Sequence, residues 1–270
     1  MKIDYVIPTW NSGKTLEICL EAIVSYGNPN EIIIVDNYSK DNTIKIANDY
    51  GCKILYDNKS LGSARKKGLE AASTEWIGFV DSDVVISKDW HSKMVKYISN
   101  KVGAVQGRKL PISNPFREIE KKKTQKLFRK GPYKLRKGER GYTDNTLIRR
   151  DIAIKADIEN LNAFEDYIIT QKILEEGYEW LCVPVFADHY ENQFTSIKKP
   201  GWHSSGLKYL LRNKKIHVTD FLRIFLRYDT WYLIDGLTAR NMVYLKMRLL
   251  QLGYHWLGLV QSEKLFRLER

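Results

Sequence analysis

Strand and helix signals alternate along the first hundred residues, and this alternation limits the fold more than any other feature of the chain. Four short runs rich in apolar residues predict strands, at Ile3–Ile7, Glu31–Val35, Lys53–Tyr56 and Trp76–Val80. Stretches with helical spacing lie between these runs. Such an order, with short connections, predicts an α/β fold with a doubly wound, mainly parallel central sheet flanked by helices.

Two acidic residues, Asp81 and Asp83, follow directly after the fourth predicted strand. A buried strand that ends in carboxylates presents them at its carboxyl edge, where open α/β sheets bind ligands. Two oxygen donors at that edge suit Mg²⁺ or Mn²⁺, which in turn suits a diphosphate. An Asp-x-Asp triplet arises about once by chance in a chain of this size, so the surrounding residues decide its meaning.

The neighbouring strand ends carry groups that a nucleotide would use. The first strand ends in Pro8-Thr9-Trp10-Asn11, which offers a ring on which a base can stack. The second strand ends in Asp36, which either accepts a hydrogen bond from a base or makes a turn. The segment Gly62–Gly68 leads into a helix, and its N–H groups together with Arg65 favour an anion.

The second half of the chain adds a pair of acids and a histidine. Glu165 and Asp166 open a predicted helix, where acids are also favoured by the helix dipole alone. His189 follows 23 positions after Asp166, beyond a predicted strand. A carboxylate in such a place is suited to take a proton from an attacking hydroxyl group.

The net charge of +12 is concentrated in one segment. Residues 117–150 contain 13 Lys or Arg against 4 Asp or Glu, which predicts either an anionic partner or a solvated charged face. Four aromatic residues lie in or beside this segment, so a nucleic-acid-binding protein is the main rival from another functional class: Phe116, Phe128, Tyr133 and Tyr142.

The remaining composition bears on the compartment. Three cysteines, Cys19, Cys52 and Cys182, lie far apart and predict neither a zinc site nor a disulfide framework, which favours a reducing cytosol. A strand begins at once, so we expect no signal peptide. No stretch of about 18 uncharged apolar residues exists, so we expect no conventional transmembrane helix.

From Ile216 onward, aromatic and leucine residues alternate with arginines on helical stretches. This texture predicts a helical amphipathic region over residues 216–270. It is typical of a segment lying on an anionic membrane surface, and equally of helices that pack on the catalytic domain or on a second copy of the chain. A peripheral position on the cytoplasmic face of a membrane and a homodimer both stay open.

Taken in order, these motifs resemble the family 2 glycosyltransferases of the GT-A fold. The resemblance covers about residues 1–215, comprising a nucleotide-binding half (1–107) and an acceptor-binding half with the basic insertion (108–215). It rests on the following ordered set: Pro8-Thr9-Trp10-Asn11, Asp36 to Asp41, Gly62 to Gly68, Asp81-Ser82-Asp83, Glu165-Asp166 and His189.

The resemblance also implies the role of each site residue. It assigns the nucleotide to Pro8, Thr9, Trp10, Asp36, Arg65 and Asp81. It implies a divalent cation, Mn²⁺ or Mg²⁺, on Asp83 and His189, and Asp166 as the catalytic base with Glu165 beside it. His203 is the alternative to His189, because its neighbours Gly201-Trp202 and Ser204-Ser205 predict a mobile loop.

The expected reaction is the inverting transfer of one sugar from a UDP- or GDP-sugar to an acceptor hydroxyl group. The basic insertion favours a lipid-linked or phosphorylated glycan precursor as acceptor, and transfer to a polyprenyl phosphate stays an alternative. The Gln-x-x-Arg-Trp motif of the processive members is missing, which argues against polymer synthesis. A sugar-nucleotide pyrophosphorylase is less favoured, because its glycine-rich N-terminal loop is missing as well.

Overall fold

The structure, a computed structural model, describes residues 1–112, 116–190 and 193–261. Within these ranges, residues 1–112 and 120–190 form one compact unit, and residues 116–119 and 193–261 form a second. The division into functional regions at residue 215 stays a prediction.

The chain up to residue 190 contains nine strands and seven helices among its described residues. The strands are β1 (Ile3–Thr9), β2 (Pro29–Asp36), β3 (Lys53–Tyr56), β4 (Trp76–Val80), β5 (Val84–Ile86), β6 (Val102–Pro111), β7 (Tyr133–Lys134), β8 (Asn145–Arg149) and β9 (Glu179–His189). The helices are α1 (Leu16–Tyr26), α2 (Thr43–Asp49), α3 (Leu61–Ala71), α4 (Trp90–Val95), α5 (Arg117–Leu127), α6 (Arg150–Ala153) and α7 (Glu165–Glu175).

The described strands form one sheet in the order β3-β2-β1-β4-β8-β6-β9-β5, with β7 beside β9. Strands β3, β2, β1 and β4 are parallel, and β6 is parallel to β9. The antiparallel pairings involve β5, β7 and β8, all in the later half of the order. The predicted α/β fold with a central, mainly parallel sheet flanked by helices is therefore confirmed.

The order of the parallel strands positions the candidate site. The chain runs outward from β1 to β2 and β3, and then returns to place β4 on the other side of β1. Ligands bind at such a reversal in α/β sheets, because the loops after the two neighbouring strands diverge there and leave a crevice. The loops after β1 and β4 carry Trp10 and the Asp81-Ser82-Asp83 triplet.

The hydrophobic core of the first unit includes side chains of the sheet. One example of its close packing is Gly78 in β4, which lies against the ring of Tyr5. Gly78 is in register with Tyr5 of β1, whose ring is completely buried. A Cβ atom at Gly78 would lie 2.6 Å from ring carbons of Tyr5. The Tyr5 hydroxyl donates a hydrogen bond of 2.7 Å to the Gly27 carbonyl, which holds the ring in place.

We therefore expect Gly78→Ala to lower the free energy of unfolding by about 1–3 kcal/mol, because the buried ring has no room to move aside. The matched control is Gly253→Ala, where an added Cβ would meet nothing within 4 Å. Alanine there should be neutral or slightly stabilising, since it favours a helix. Chemical denaturation measures the stability of both variants. Equal unfolding midpoints would contradict the tight packing of Gly78 against Tyr5.

Three helices make up most of the second unit, namely α8 (Gln193–Arg212), α9 (Val218–Thr238) and α10 (Met242–Val260). A buried polar cluster connects α9 to α10. Asp235 Oδ2 accepts a hydrogen bond of 2.6 Å from the Tyr244 hydroxyl and forms an ion pair with Arg248, whose Nε atom lies 2.7 Å away. In the described part of the chain, no helix is both long and apolar enough to cross a bilayer.

The mobile loop predicted around His203 is wrong. Residues 201–205 lie inside α8, and Ser204 and Ser205 are completely buried. The small residues let α8 and α10 approach closely, since a Cβ at Gly258 would collide with the Gly201 carbonyl and the Ser204 hydroxyl. Glycine and serine here serve helix packing, which a local sequence pattern does not distinguish from a loop.

Candidate active site

Thr9 and Asp36 lie side by side where β1 and β2 end. The Thr9 hydroxyl donates a hydrogen bond of 2.8 Å to Asp36 Oδ1, and the Ser39 amide donates one of 2.7 Å to Asp36 Oδ2. Asp36 is completely buried, and its contact with Ser39 forms the turn that its polar neighbours predict. A contact between Asp36 and a nucleotide base stays a prediction.

The loop after β1 is tied to the Asp81-Ser82-Asp83 triplet. Pro8 and Trp10 are both half-buried, and the Trp10 amide lies 3.3 Å from Ser12 Oγ. Ser12 Oγ in turn lies 2.8 Å from Ser82 Oγ, within hydrogen-bond distance. The predicted base-stacking residue and the triplet therefore belong to one connected edge of the sheet.

A second aromatic feature lies at the same edge and was not predicted. The rings of Tyr38 and Tyr56 are stacked with centroids 5.3 Å apart, and both are exposed. Tyr56 is in register with Asp36 across β2 and β3. The only sequence signal was two tyrosines near strand ends, because their stacking depends on the pairing of the strands.

Arg65 connects two of the predicted carboxylates. It projects from α3 and is almost fully buried, with Nη2 2.9 Å from Asp81 Oδ1 and Nη1 bonded to Glu165 Oε1. Burial acts to lower the pKa of Arg65, but Glu165 and then Asp81 raise it above its ordinary value. Arg65 thus stays charged and holds the end of β4 against the start of α7.

Glu165 is buried at this junction with a perturbed acidity. Desolvation raises its pKa from the ordinary value of 4.5 to about 7, although Arg65 acts in the opposite direction. Its Oε2 atom is buried and has no hydrogen-bond partner among the described residues. Burial of the charged carboxylate therefore costs more than the ion pair returns, as is common for buried pairs.

This balance gives a pH-dependent stability. A folded-state pKa raised above the ordinary value contributes stability below about pH 4.5, and this contribution is lost as the pH rises through about 7. We expect the unfolding temperature of the wild type to fall, relative to Glu165→Gln, between pH 4.5 and pH 8. The control is Glu175→Gln at the exposed end of α7, and thermal unfolding across the pH range measures all three proteins. A wild type that gains stability relative to Glu165→Gln over this range would contradict the assignment.

Asp166, the predicted base, is held by an arginine that the sequence did not single out. Arg140 Nε lies 2.8 Å from Asp166 Oδ1, and Arg140 Nη2 lies 2.9 Å from Asp166 Oδ2. The guanidinium also lies 4.1 Å from the centroid of the Phe164 ring. Phe164 has a positive φ of 66°, a conformation that non-glycine residues rarely adopt and that occurs often near functional sites.

Asp83 and His189 meet at the far side of the triplet. His189 ends β9, where it is in register with Val84 of β5, and its Nε2 atom lies 3.4 Å from Asp83 Oδ2. The Tyr190 amide donates a hydrogen bond of 2.9 Å to the Asp83 carbonyl, which supports this arrangement. The structure thus brings together the two predicted metal ligands.

The pair has the geometry and chemistry for one divalent cation. Two neighbouring ligands of an octahedral ion lie about 3 Å apart when each is about 2.1 Å from it, so a separation of 3.4 Å needs little adjustment. Carboxylate oxygen suits Mg²⁺ or Mn²⁺, and imidazole is common in transition-metal sites. Among the described residues, no group of three or more His, Cys, Asp or Glu side chains forms a complete metal site. A bound diphosphate or water could supply further oxygen ligands.

Lys109 and Asp144 extend this edge and were missed. Asp144 directly precedes Asn145, which is in register with Val80, so it lies beside Asp81. Lys109 Nζ lies 2.8 Å from Asp144 Oδ2. Burial acts to lower the pKa of Lys109, but Asp144, then Asp81 and Asp83, raise it above its ordinary value. Only the antiparallel insertion of β8 brings these residues together.

Comparison with known proteins identifies the family. Residues 4–157, more than half of the chain, match the sequence model of glycosyl transferase family 2. The chain belongs to glycosyl transferase family 2. A poly(ribitol-phosphate) beta-glucosyltransferase of Bacillus spizizenii is 28% identical to this family 2 member over 231 residues, covering 76% of the chain and 34% of that protein. The chain spans about a third of the length of the curated relatives it matches.

Two solved structures have a fold similar to that of this family 2 chain. The mannosyltransferase PcManGT of Pyrobaculum calidifontis, in complex with GDP-Man and Mn²⁺, has a TM-score of 0.60 at 15% identity, covering 96% of this chain and 74% of that one. Residues 1–349 of S. aureus TarS, in complex with UDP, give a TM-score of 0.56 at 16% identity, covering 100% of this chain and 93% of that one. These likenesses confirm the GT-A type of fold.

Proposed function

We propose that this chain transfers one sugar from a nucleotide-diphosphate sugar to an acceptor hydroxyl group, with inversion at the anomeric carbon. The observation that carries the proposal is the bridge formed by Arg65, whose guanidinium binds both Asp81 and Glu165. Arg65 thus connects the end of β4, where a donor would bind, to the first residue of α7. The second residue of α7 is Asp166. A donor site and a proton acceptor are thereby connected.

We assign the donor to the edge formed by the ends of β1, β2 and β4. Asp83 and His189 would hold Mn²⁺ or Mg²⁺, whose charge offsets that of the departing diphosphate. PcManGT contains GDP-Man with Mn²⁺ and TarS contains UDP, which supports a nucleotide-linked donor here. Pro8, Thr9, Trp10 and Asp36 would face the base, and Asp81 the ribose. Arg65 would position Asp81.

We assign Asp166 as the base that takes the proton of the acceptor hydroxyl. Its oxygens already accept two hydrogen bonds from Arg140 and one from the Tyr167 amide, and a carboxylate has about four lone-pair positions, so one position is left for an acceptor hydroxyl. One base and one displacement on the face opposite the leaving group give inversion. Glu165 acts through Arg65 rather than on the acceptor.

For the acceptor we propose a phosphate-bearing glycan precursor or a lipid-linked one, used at the cytoplasmic face of a membrane. The excess of 13 Lys or Arg over 4 acids in residues 117–150 supports an anionic acceptor. The Bacillus spizizenii relative is named for poly(ribitol-phosphate), which is a negatively charged polymer. The three cysteines are free thiols, which is compatible with the reducing environment of the cytoplasm.

The proposal is tested by donor and acceptor screening. UDP- and GDP-sugars are incubated with Mn²⁺ and either a poly(alditol phosphate) or a neutral glycan of equal length, and the product is examined by proton NMR. We expect one donor to be used, only the phosphate-bearing acceptor to be modified, and the anomeric configuration to be inverted. Retention of configuration would overturn the mechanism. Binding of oligonucleotides in preference to the acceptor would favour the nucleic-acid rival.

A further inference from the structure

Large apolar side chains are exposed mainly on the last two helices of the described chain. Of the 22 exposed large apolar residues found in the described part of the protein, 14 lie between Val218 and Val260. Monomeric proteins in water rarely expose so many apolar groups in so short a segment. Something therefore covers these helices when the protein works.

On α9 the exposed residues follow the spacing of one helix face. Val218, Leu222 and Leu226 are four residues apart, and Leu233 and Leu237 continue the same stripe seven and eleven residues after Leu226. The buried residues of α9 occupy other positions on the helix: Ile224, Phe225, Tyr232, Asp235 and Gly236. The leucine stripe is thus separate from the face that packs inside the unit.

Helix α10 is inverted relative to an ordinary surface helix. Its buried side includes polar residues, namely Tyr244, Arg248, Gln251 and His255. Its exposed side is apolar, with Met242 68%, Leu250 55% and Trp256 53% exposed, and Lys246 as its charged residue. A helix with polar groups inside and apolar groups outside is arranged for an apolar surrounding.

The charge of this region distinguishes lipid from a second copy of the chain. Residues 212–261 contain eight Lys or Arg and three Asp, and α10 contains no acid. A symmetric contact between two copies would bring the same positive surfaces together, which is unfavourable. Anionic headgroups complement them, and the exposed Trp231 and Trp256 suit the boundary between headgroups and acyl chains.

We propose that the exposed faces of α9 and α10 bind the surface of an anionic bilayer, lying in the interface without crossing it. The inference extends the membrane location in the proposed function, but it rests on residues outside the transfer site. It makes the second unit a membrane anchor whose affinity combines apolar insertion with attraction to negative lipid.

The test is flotation of the full chain with vesicles, without donor or metal. We expect binding to phosphatidylcholine vesicles that contain about 30% phosphatidylglycerol, weaker binding to phosphatidylcholine alone, and weakening by salt. Leu250→Ser/Trp256→Ser should reduce binding roughly tenfold or more. The control is Val24→Ser/Tyr26→Ser, two exposed residues of α1, which should bind like the wild type. Far-UV circular dichroism shows that each variant is folded.

The outcomes separate this inference from the proposed reaction. Vesicle binding is measured without substrates, so its result does not depend on whether the chain transfers sugar. Absence of binding by the wild type, or equal binding by Leu250→Ser/Trp256→Ser, would overturn the inference. A lipid-free dimer that this double variant dissociates would overturn it too, because the surface would then join two copies.

Discussion

Asp83→Ala is expected to reduce sugar transfer by roughly 10³-fold or more, because it removes a proposed ligand of the cation that would offset the charge of the leaving diphosphate. Asp83 and His189 approach each other at 3.4 Å, so the loss of one leaves a single protein ligand of the proposed pair. The affinity for Mn²⁺ in the presence of UDP should fall with the rate. Electron paramagnetic resonance of free Mn²⁺ measures this affinity independently of turnover.

Asp89→Ala is the matched control for this prediction. Asp89 is also an aspartate and lies six residues after Asp83, but it is exposed and pairs with Lys93 at 3.1 Å on the surface. Its removal should leave Mn²⁺ affinity and transfer unchanged. Undiminished Mn²⁺ binding and turnover in Asp83→Ala would show that Asp83 does not hold the metal. His203→Ala tests the alternative histidine ligand. Of the two histidine variants, only His189→Ala is expected to weaken Mn²⁺ binding.

Asp166→Asn is expected to lower the turnover number by about 10²–10⁴-fold while nucleotide affinity stays nearly unchanged. The amide keeps the size of the side chain and one acceptor oxygen for Arg140, but it does not accept a proton at neutral pH. Steady-state kinetics give the turnover number, and isothermal titration with UDP gives the affinity. Glu175→Gln, at the other end of α7, is the control and should behave like the wild type.

The response of Asp166→Asn also separates two kinds of acceptor. A hydroxyl acceptor must lose a proton, so the variant should be nearly inactive. A polyprenyl phosphate is already ionised and needs no base. Turnover close to the wild type would therefore favour transfer to a phosphate, whereas loss of UDP binding would show that the role assigned to Asp166 is wrong.

The strands of the parallel half were predictable because each is short, apolar and bounded by turn residues. The predicted ranges Lys53–Tyr56 and Trp76–Val80 coincide with β3 and β4. Parallel order then requires the ends of β1, β2 and β4 to share an edge, which is why Thr9, Asp36 and Asp81 could be placed there.

The rest of the site depends on pairings between distant parts of the chain. Strand β8 enters the sheet antiparallel between β4 and β6, 65 residues after β4 ends at Val80. No local pattern in the sequence reports that insertion, yet it brings Asp144 to Lys109. The role of Arg140 could not be predicted either, because a segment with 13 Lys or Arg does not indicate which side chain pairs with a buried carboxylate.

The shared guanidinium of Arg65 has a consequence for how variants at this site combine. Asp81 and Glu165 have Arg65 as a common partner, so truncating either leaves the guanidinium with one carboxylate fewer and changes its interaction with the other. In a double-mutant cycle their effects should be strongly non-additive. Under the roles proposed for these residues, donor affinity and turnover with the acceptor are expected to change together when either carboxylate is substituted.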